Sequence, residues 1–210
     1  MVDKMENEKI LNLTDFQEDA LKEVANIGMG NSITSLSKLI NRKVNIHVPD
    51  LKIEKIEDVP DIVGSPEEAV VGTIVGLRGN FMGYIAIIFP EESAAKISEI
   101  VMDTDDVDLQ SEMNLSMMGE VGQILAGSYS SAISDFFGIN TSITIPYTNY
   151  DMVAAIMDNL LIEMSIEVDY AIVFDTEFTI KDEHRIKGSF LTMFNKSLLD
   201  DFLDRINKMV

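Results

Sequence analysis

One spacing runs through this chain twice, and it constrains the fold more than any other feature. A step of 97 positions carries Glu23 to Glu120, Asn26 to Gln123, Gly30 to Gly127, Ser37 to Ser134 and Pro49 to Pro146. The same step carries Ile46 and Val48 to Ile143 and Ile145. An offset that survives a helix and the strand after it implies two half-domains built alike.

The element pattern agrees. Thr14-x-x-Gln17 has the form of a capping box ahead of an apolar pattern that runs to about Asn41. Val44, Ile46 and Val48 then alternate with polar residues, and Pro49 is expected to end that strand. Strand material follows at Leu51–Ile56, Ala69–Leu77 and Phe81–Phe89, with a hairpin turn at Arg78-Gly79-Asn80, and a helix fits Glu91–Met102. After the acidic stretch Asp103 to Asp108 the order restarts. A helix is expected over Glu112–Phe137, a strand through Thr141, Ile143 and Ile145 ending at Pro146, and strands at Tyr170–Ile180 and Lys187–Met193. Lys181, Asp182 and Glu183 read as the turn between the last two, and Asn195 as the N-cap of a helix over Lys196–Met209. Residues 1–210 are therefore expected to form one domain of two repeats, 12–108 and 109–210.

Charge narrows the partners. The 210 residues include 16 Lys and Arg against 36 Asp and Glu, a formal charge of −20, so nucleic acid and anionic lipid are not expected partners. At 46% hydrophobic residues the chain is still well able to fold. It has no cysteine, which excludes disulfides, thiolate catalysis and cysteine metal sites. The charged N-terminus MVDKMENEK lacks an apolar core, and the longest strongly apolar run, Phe81–Phe89, is about half of a membrane span of ~20 residues. A cytoplasmic protein is expected.

At about 100° per helical residue, with Glu23 at zero, Asp19 falls near ~320°, Asn26 near ~300° and Gly30 near ~340°. Carboxylates, amide and glycine thus share one stripe. Phe16, Ala20, Val24 and Ile27 fall at roughly 20° to 100° and are expected to be buried beside it. Ser116, Glu120, Gln123 and Gly127 form the equivalent stripe in the second half. Glycine inside a helix costs ~0.5–1 kcal/mol relative to alanine, so Gly28-Met29-Gly30 needs a reason. Gly28 suits close helix packing, and Gly30 the approach of a partner's backbone.

These residues resemble the CheC-type phosphatase family of chemotaxis, which includes CheX and the middle domains of flagellar switch proteins. The family motif is matched by Asp19-x3-Glu23-x2-Asn26-x22-Pro49 and again by Ser116-x3-Glu120-x2-Gln123-x22-Pro146. The resemblance implies an α+β fold: a pseudo-twofold domain with a largely antiparallel sheet and two long motif helices side by side on one face. It further implies hydrolysis of the aspartyl phosphate on a CheY-type response regulator. Glu23 and Glu120 would pair with the regulator's lysine, while Asn26 and Gln123 orient the in-line water. No cofactor is expected on this chain, and Mg²⁺ belongs to the regulator. Gln123 departs from the family's Asn, which leaves open whether the second site is active. Leu125 at the counterpart of Gly28 suggests that the second helix packs differently.

A shorter match, Asp151-Met152-Val153-Ala154-Ala155-Ile156, resembles the stretch by which CheC proteins bind the deamidase CheD, with Asp151 the key acidic contact. An ordinary amphipathic helix with an exposed aspartate is the other reading. A monomer, or a heterodimer with CheD, is expected. The alternative function is a non-catalytic adaptor or switch-type module that docks regulator or CheD without hydrolysis. His47 and His184 are far apart in the chain, and the acidic stretch lacks the pattern of a calcium loop, so no metal site is expected.

Overall fold

Two helices of 26 residues, α1 (Asp15–Ile40) and α4 (Glu112–Phe137), are started and stopped by the same devices at the same offset. At the N-termini, the Thr14 hydroxyl accepts from the Gln17 amide and the Ser111 hydroxyl from the Asn114 amide, both at 3.3 Å. At the C-termini, Asn41 and Gly138 adopt left-handed φ of 51° and 62°. The amides of Arg42 and Ile139 then close back on the carbonyls of Ser37 and Ser134 at 3.2 and 3.0 Å. The Ser37 and Ser134 hydroxyls accept from the first amide of the following strands, Val44 at 3.1 Å and Thr141 at 3.2 Å. Each helix therefore hands its chain to a strand in the same geometry.

The structure, a computed structural model, describes residues 13–163, 168–180 and 184–208. The remaining elements are β1 (Val44–Lys55), α2 (Val59–Val63), β2 (Ala69–Gly79), β3 (Gly83–Pro90), α3 (Glu91–Met102), β4 (Thr141–Ile143), β5 (Tyr147–Met152), α5 (Val153–Glu163), β6 (Tyr170–Ile180), β7 (His184–Phe194) and α6 (Lys196–Asn207). Every strand pairing is antiparallel. The sheet order is β1-β6-β7-β3-β2-β4, with β5 also paired to β2. Exchanging β1 with β4 and β5, β2 with β6, and β3 with β7 converts that order into its own reverse, so a pseudo-twofold axis passes between β3 and β7. This is an α+β fold with both long helices on one face, where α1, α3, α4 and α6 share the main core with the sheet. A smaller core on the far face lies under α2 and α5.

The helix pair departs from symmetry at one crossing. A Cβ on Gly28 would stand 2.8 Å from Tyr129 Cα, so glycine is what allows α1 and α4 to approach. Tyr129 packs its ring against Phe174 and Phe190, with centroids 5.7 and 4.9 Å away. Leu125, at the counterpart of Gly28, is fully buried.

Several expectations need correction. β1 does not end at Pro49. It continues to Lys55 through a register shift between His47 and Asp50. The extra residue is a bulge on an edge strand, where a proline's missing N–H is tolerated. In the second half the strand stops earlier, at Ile143, and Pro146 lies in the break before β5. Val48 is consequently buried while Ile145, its counterpart, is 89% exposed. β7 begins at His184 rather than Lys187, and α6 ends at Asn207. The turn expected at 181–183 lies outside the described residues.

Candidate functional site

The two stripes lie on the solvent side of α1 and α4. Asp19, Glu23, Asn26 and Gly30 are all exposed, as are Ser116, Glu120 and Gln123, while Gly127 is half-buried. The sequence places Glu23 and Asn26 less than one turn apart, and the core-facing residues Leu21, Val24, Ala25 and Met29 fix which way that face points. On α4, Met118, Val121, Leu125 and Ala126 do the same for Glu120 and Gln123. Both carboxylate–amide pairs are thus presented on rigid, core-anchored helices. Lys22, beside the first stripe, is held by Glu18 at 2.6 Å.

The glycines differ in their surroundings. A Cβ on Gly30 would meet nothing within 4 Å, whereas one on Gly127 would touch Ile143 Cδ1 at 3.5 Å. Among the described residues, nothing in the packing requires glycine at position 30.

The second stripe also borders a groove. Ser116, Glu120 and Gln123 line one wall, and Ile145, Pro146 and Thr148 line the other, enclosing about 370 Å³. The break between β4 and β5 makes this wall, because it turns Ile145 outward. Thr148 is held in place by a 3.1 Å hydroxyl contact to the buried Thr73.

The buried side of α1 lies at a different angle from the one expected. Ala20 and Val24 are buried, but Phe16 is 44% and Ile27 38% exposed. The buried face centres near ~160° from Glu23, where Leu21, Ala25 and Gly28 lie, so Phe16 and Ile27 at ~20–40° sit on the rim of the stripe. Met113, 97 positions after Phe16, is 70% exposed in the same place on α4. Periodicity alone assigns these apolar residues to the core. The signal against it is azimuth: Phe16 and Met113 fall ~20° and Ile27 ~40° from their glutamates, against ~160° for the centre of the buried face.

Asp151 follows Thr148 of the groove by three residues on the same strand, but its side chain is on the other face of the sheet. It is the next-to-last residue of β5 rather than part of a helix, which begins at Val153, and its carboxylate accepts from the Met152 amide at 2.8 Å. Asp151 faces Val70 across the ladder, and Val70 belongs to the small core on the far face of the sheet. The two proposed surfaces therefore look in opposite directions. Among the described residues there is no cluster of three or more His, Asp or Glu arranged to hold a metal ion, and no helix is long and apolar enough to cross a membrane.

Residues 16–53 match the model of the CheC-like family, and residues 71–160 match that of the chemotaxis phosphatase CheX. The chain is 31% identical over 164 residues to the CheY-P phosphatase CheC of Bacillus subtilis, covering 76% of this chain and 78% of that protein. It is 28% identical over 149 residues to the flagellar motor switch phosphatase FliY of the same organism, covering 69% of this chain and 38% of that protein. The crystal structure of Thermotoga maritima FliY superposes with a TM-score of 0.73 at 22% identity, covering 93% of this chain and 98% of that one.

Proposed function

This chain belongs to the CheC family, and on that premise we propose that it hydrolyses the aspartyl phosphate of a CheY-type response regulator in the cytoplasm. The observation that carries the reading is the exposure of two carboxylate–amide pairs, Glu23 with Asn26 and Glu120 with Gln123, on the outer faces of two core-anchored helices. An acyl phosphate is already activated, so its hydrolysis requires chiefly alignment of water and stabilisation of charge. The regulator supplies the charge stabilisation through its own Mg²⁺ and lysine.

Glu23 pairs with that lysine and sets the docking register. Asn26 then lies beside the phosphoryl group, accepting a hydrogen bond from the water through its carbonyl and donating through its NH₂. A carboxylate in its place would repel the phosphoryl oxygens. The water oxygen bonds to phosphorus, the bond from phosphorus to the aspartyl oxygen breaks, and the carboxylate and inorganic phosphate separate. Glu120 and Gln123 do the same at the second site, where the longer amide reaches from the wall of the groove. Asp19 and Ser116 flank the pairs one turn earlier, and Gly30 and Gly127 leave room for the regulator's backbone. The repeats 12–108 and 109–210 each contribute one site to a single domain.

CheD docks on the opposite face at Asp151. The support is the short sequence match and the position of Asp151 on the face of the sheet opposite the stripes, which lets regulator and CheD bind together. The protein works as a monomer or as a heterodimer with CheD.

The test is decay of phosphorylated regulator with Asn26→Ala and Gln123→Ala combined. Acceleration is expected to vanish while the circular dichroism spectrum and unfolding midpoint stay unchanged, since both side chains are exposed. Wild-type acceleration by the double variant refutes the assignment. Binding of regulator by the wild type without any acceleration supports a docking module instead.

A further inference from the structure

Seven large hydrophobic side chains are exposed among the described residues: Phe16, Ile27, Met82, Met113, Ile145, Tyr147 and Met152. Four of them surround the two stripes. Phe16 and Met113 each precede their glutamate by seven residues, two helical turns or about 10 Å along the axis, at the same azimuth near ~20°. Ile27 lies one turn beyond Glu23, and Ile145 faces Glu120 and Gln123 across the groove. Single exposed apolar residues need no explanation. Recurrence at one position in both halves, where neither side chain serves the core, does.

We propose that Phe16 and Met113 are docking anchors for the phosphorylated regulator. The inference rests on the phosphatase reading and adds the requirement that the regulator present an apolar patch about 10 Å from its active-site lysine. The occupant follows from continuity and charge. The anchors flank a stripe carrying Asp19 and Glu23, or Glu120, on a chain of net charge −20, so what sits there offers a cation amid apolar surface. Apolar anchors beside a small polar centre concentrate binding energy without taking part in the bond-making step. Their loss therefore acts on association and leaves turnover intact. The two anchors are not equivalent: Phe16 is a rigid ring, whereas Met113 is a flexible thioether chain able to fit varied partners.

Each anchor is tested with the opposite site silenced for both docking and chemistry: Phe16→Ala in a Glu120→Ala/Gln123→Ala background, and Met113→Ala in a Glu23→Ala/Asn26→Ala background. Two readouts are taken, the regulator-concentration dependence of dephosphorylation and calorimetric binding of beryllofluoride-activated regulator. KM and the dissociation constant are expected to rise about tenfold, the ratio that corresponds to ~1.4 kcal/mol of lost contact, with kcat within about twofold of its background. Phe16→Leu and Met113→Leu should recover most of the affinity. Unchanged KM and affinity in both alanine variants overturn the proposal and leave the phosphatase reading standing. Tight binding without acceleration by the wild type overturns the phosphatase reading, and the binding arm still judges the anchors. If the wild type neither binds nor accelerates, both fall.

Discussion

Replacing Gly30 by alanine should separate stability from function, because the two demands on that position oppose each other. Position 30 is interior to α1, and a Cβ there would meet nothing within 4 Å. The substitution therefore introduces no clash and removes the conformational freedom that glycine has in the unfolded chain. The gain is ~0.5–1 kcal/mol. For a domain of this size ~1 kcal/mol corresponds to roughly 2–4 °C in Tm. The same methyl group stands on the stripe beside Asn26, where the regulator's backbone is proposed to pass. A rigid contact overfilled by one methyl costs ~1–3 kcal/mol, which is about a fivefold to hundredfold loss in kcat/KM. The assay is a thermal melt paired with regulator dephosphorylation, both in a Gln123→Ala background so that only the first site is read. A variant that melts higher and works worse is expected. A lower Tm would refute the packing argument, and a higher Tm with undiminished activity would refute the role assigned to Gly30.

Gly28 should behave in the opposite way. A Cβ there would lie 2.8 Å from the Tyr129 backbone, so Gly28→Ala should lower the urea midpoint, with a net loss of ~1–2 kcal/mol after the propensity gain, and an unchanged midpoint would contradict the crossing. Burial pushes the Tyr129 phenol well above its ordinary value of 10.0, so the native state keeps a proton that the unfolded chain releases. Stability should be intact below pH 10 and fall above it by up to ~1.4 kcal/mol per pH unit from this group. Tyr129→Phe should flatten that alkaline decline in urea titrations between pH 9 and 11, and an identical slope would rule the group out.

The elements best read from the sequence are those specified by local chemistry. Thr14 as a cap, Asn195 ahead of the last helix, and the Gly79 hairpin with its φ of 115° each depend on groups a few residues apart. The boundaries of α3, α4 and β6 follow from periodicity for the same reason. The short helix α2 and the strand β5 were not foreseen, since their formation depends on pairing to β2 and packing under the far core. The azimuth of the buried face of α1 was misjudged because Phe16 and Ile27 are as hydrophobic as any core residue, and periodicity cannot say which edge of an apolar arc meets the sheet.

The residues of the two stripes, their offset and their common face on a helix were determined by the sequence alone, because 3.6 residues per turn converts spacing into direction without reference to the rest of the chain. Tertiary structure decided what each stripe is next to. Strand β1 runs on through Pro49 as a bulged edge, but the break at Pro146 turns Ile145 outward, giving the second site a wall made by residues distant from α4. Tyr129 fills the space above Gly28 in a contact between residues about a hundred positions apart, so two repeats that share a motif and its offset build unequal surroundings. Local backbone geometry sets where a side chain points, and only the packing of the whole chain sets what it faces.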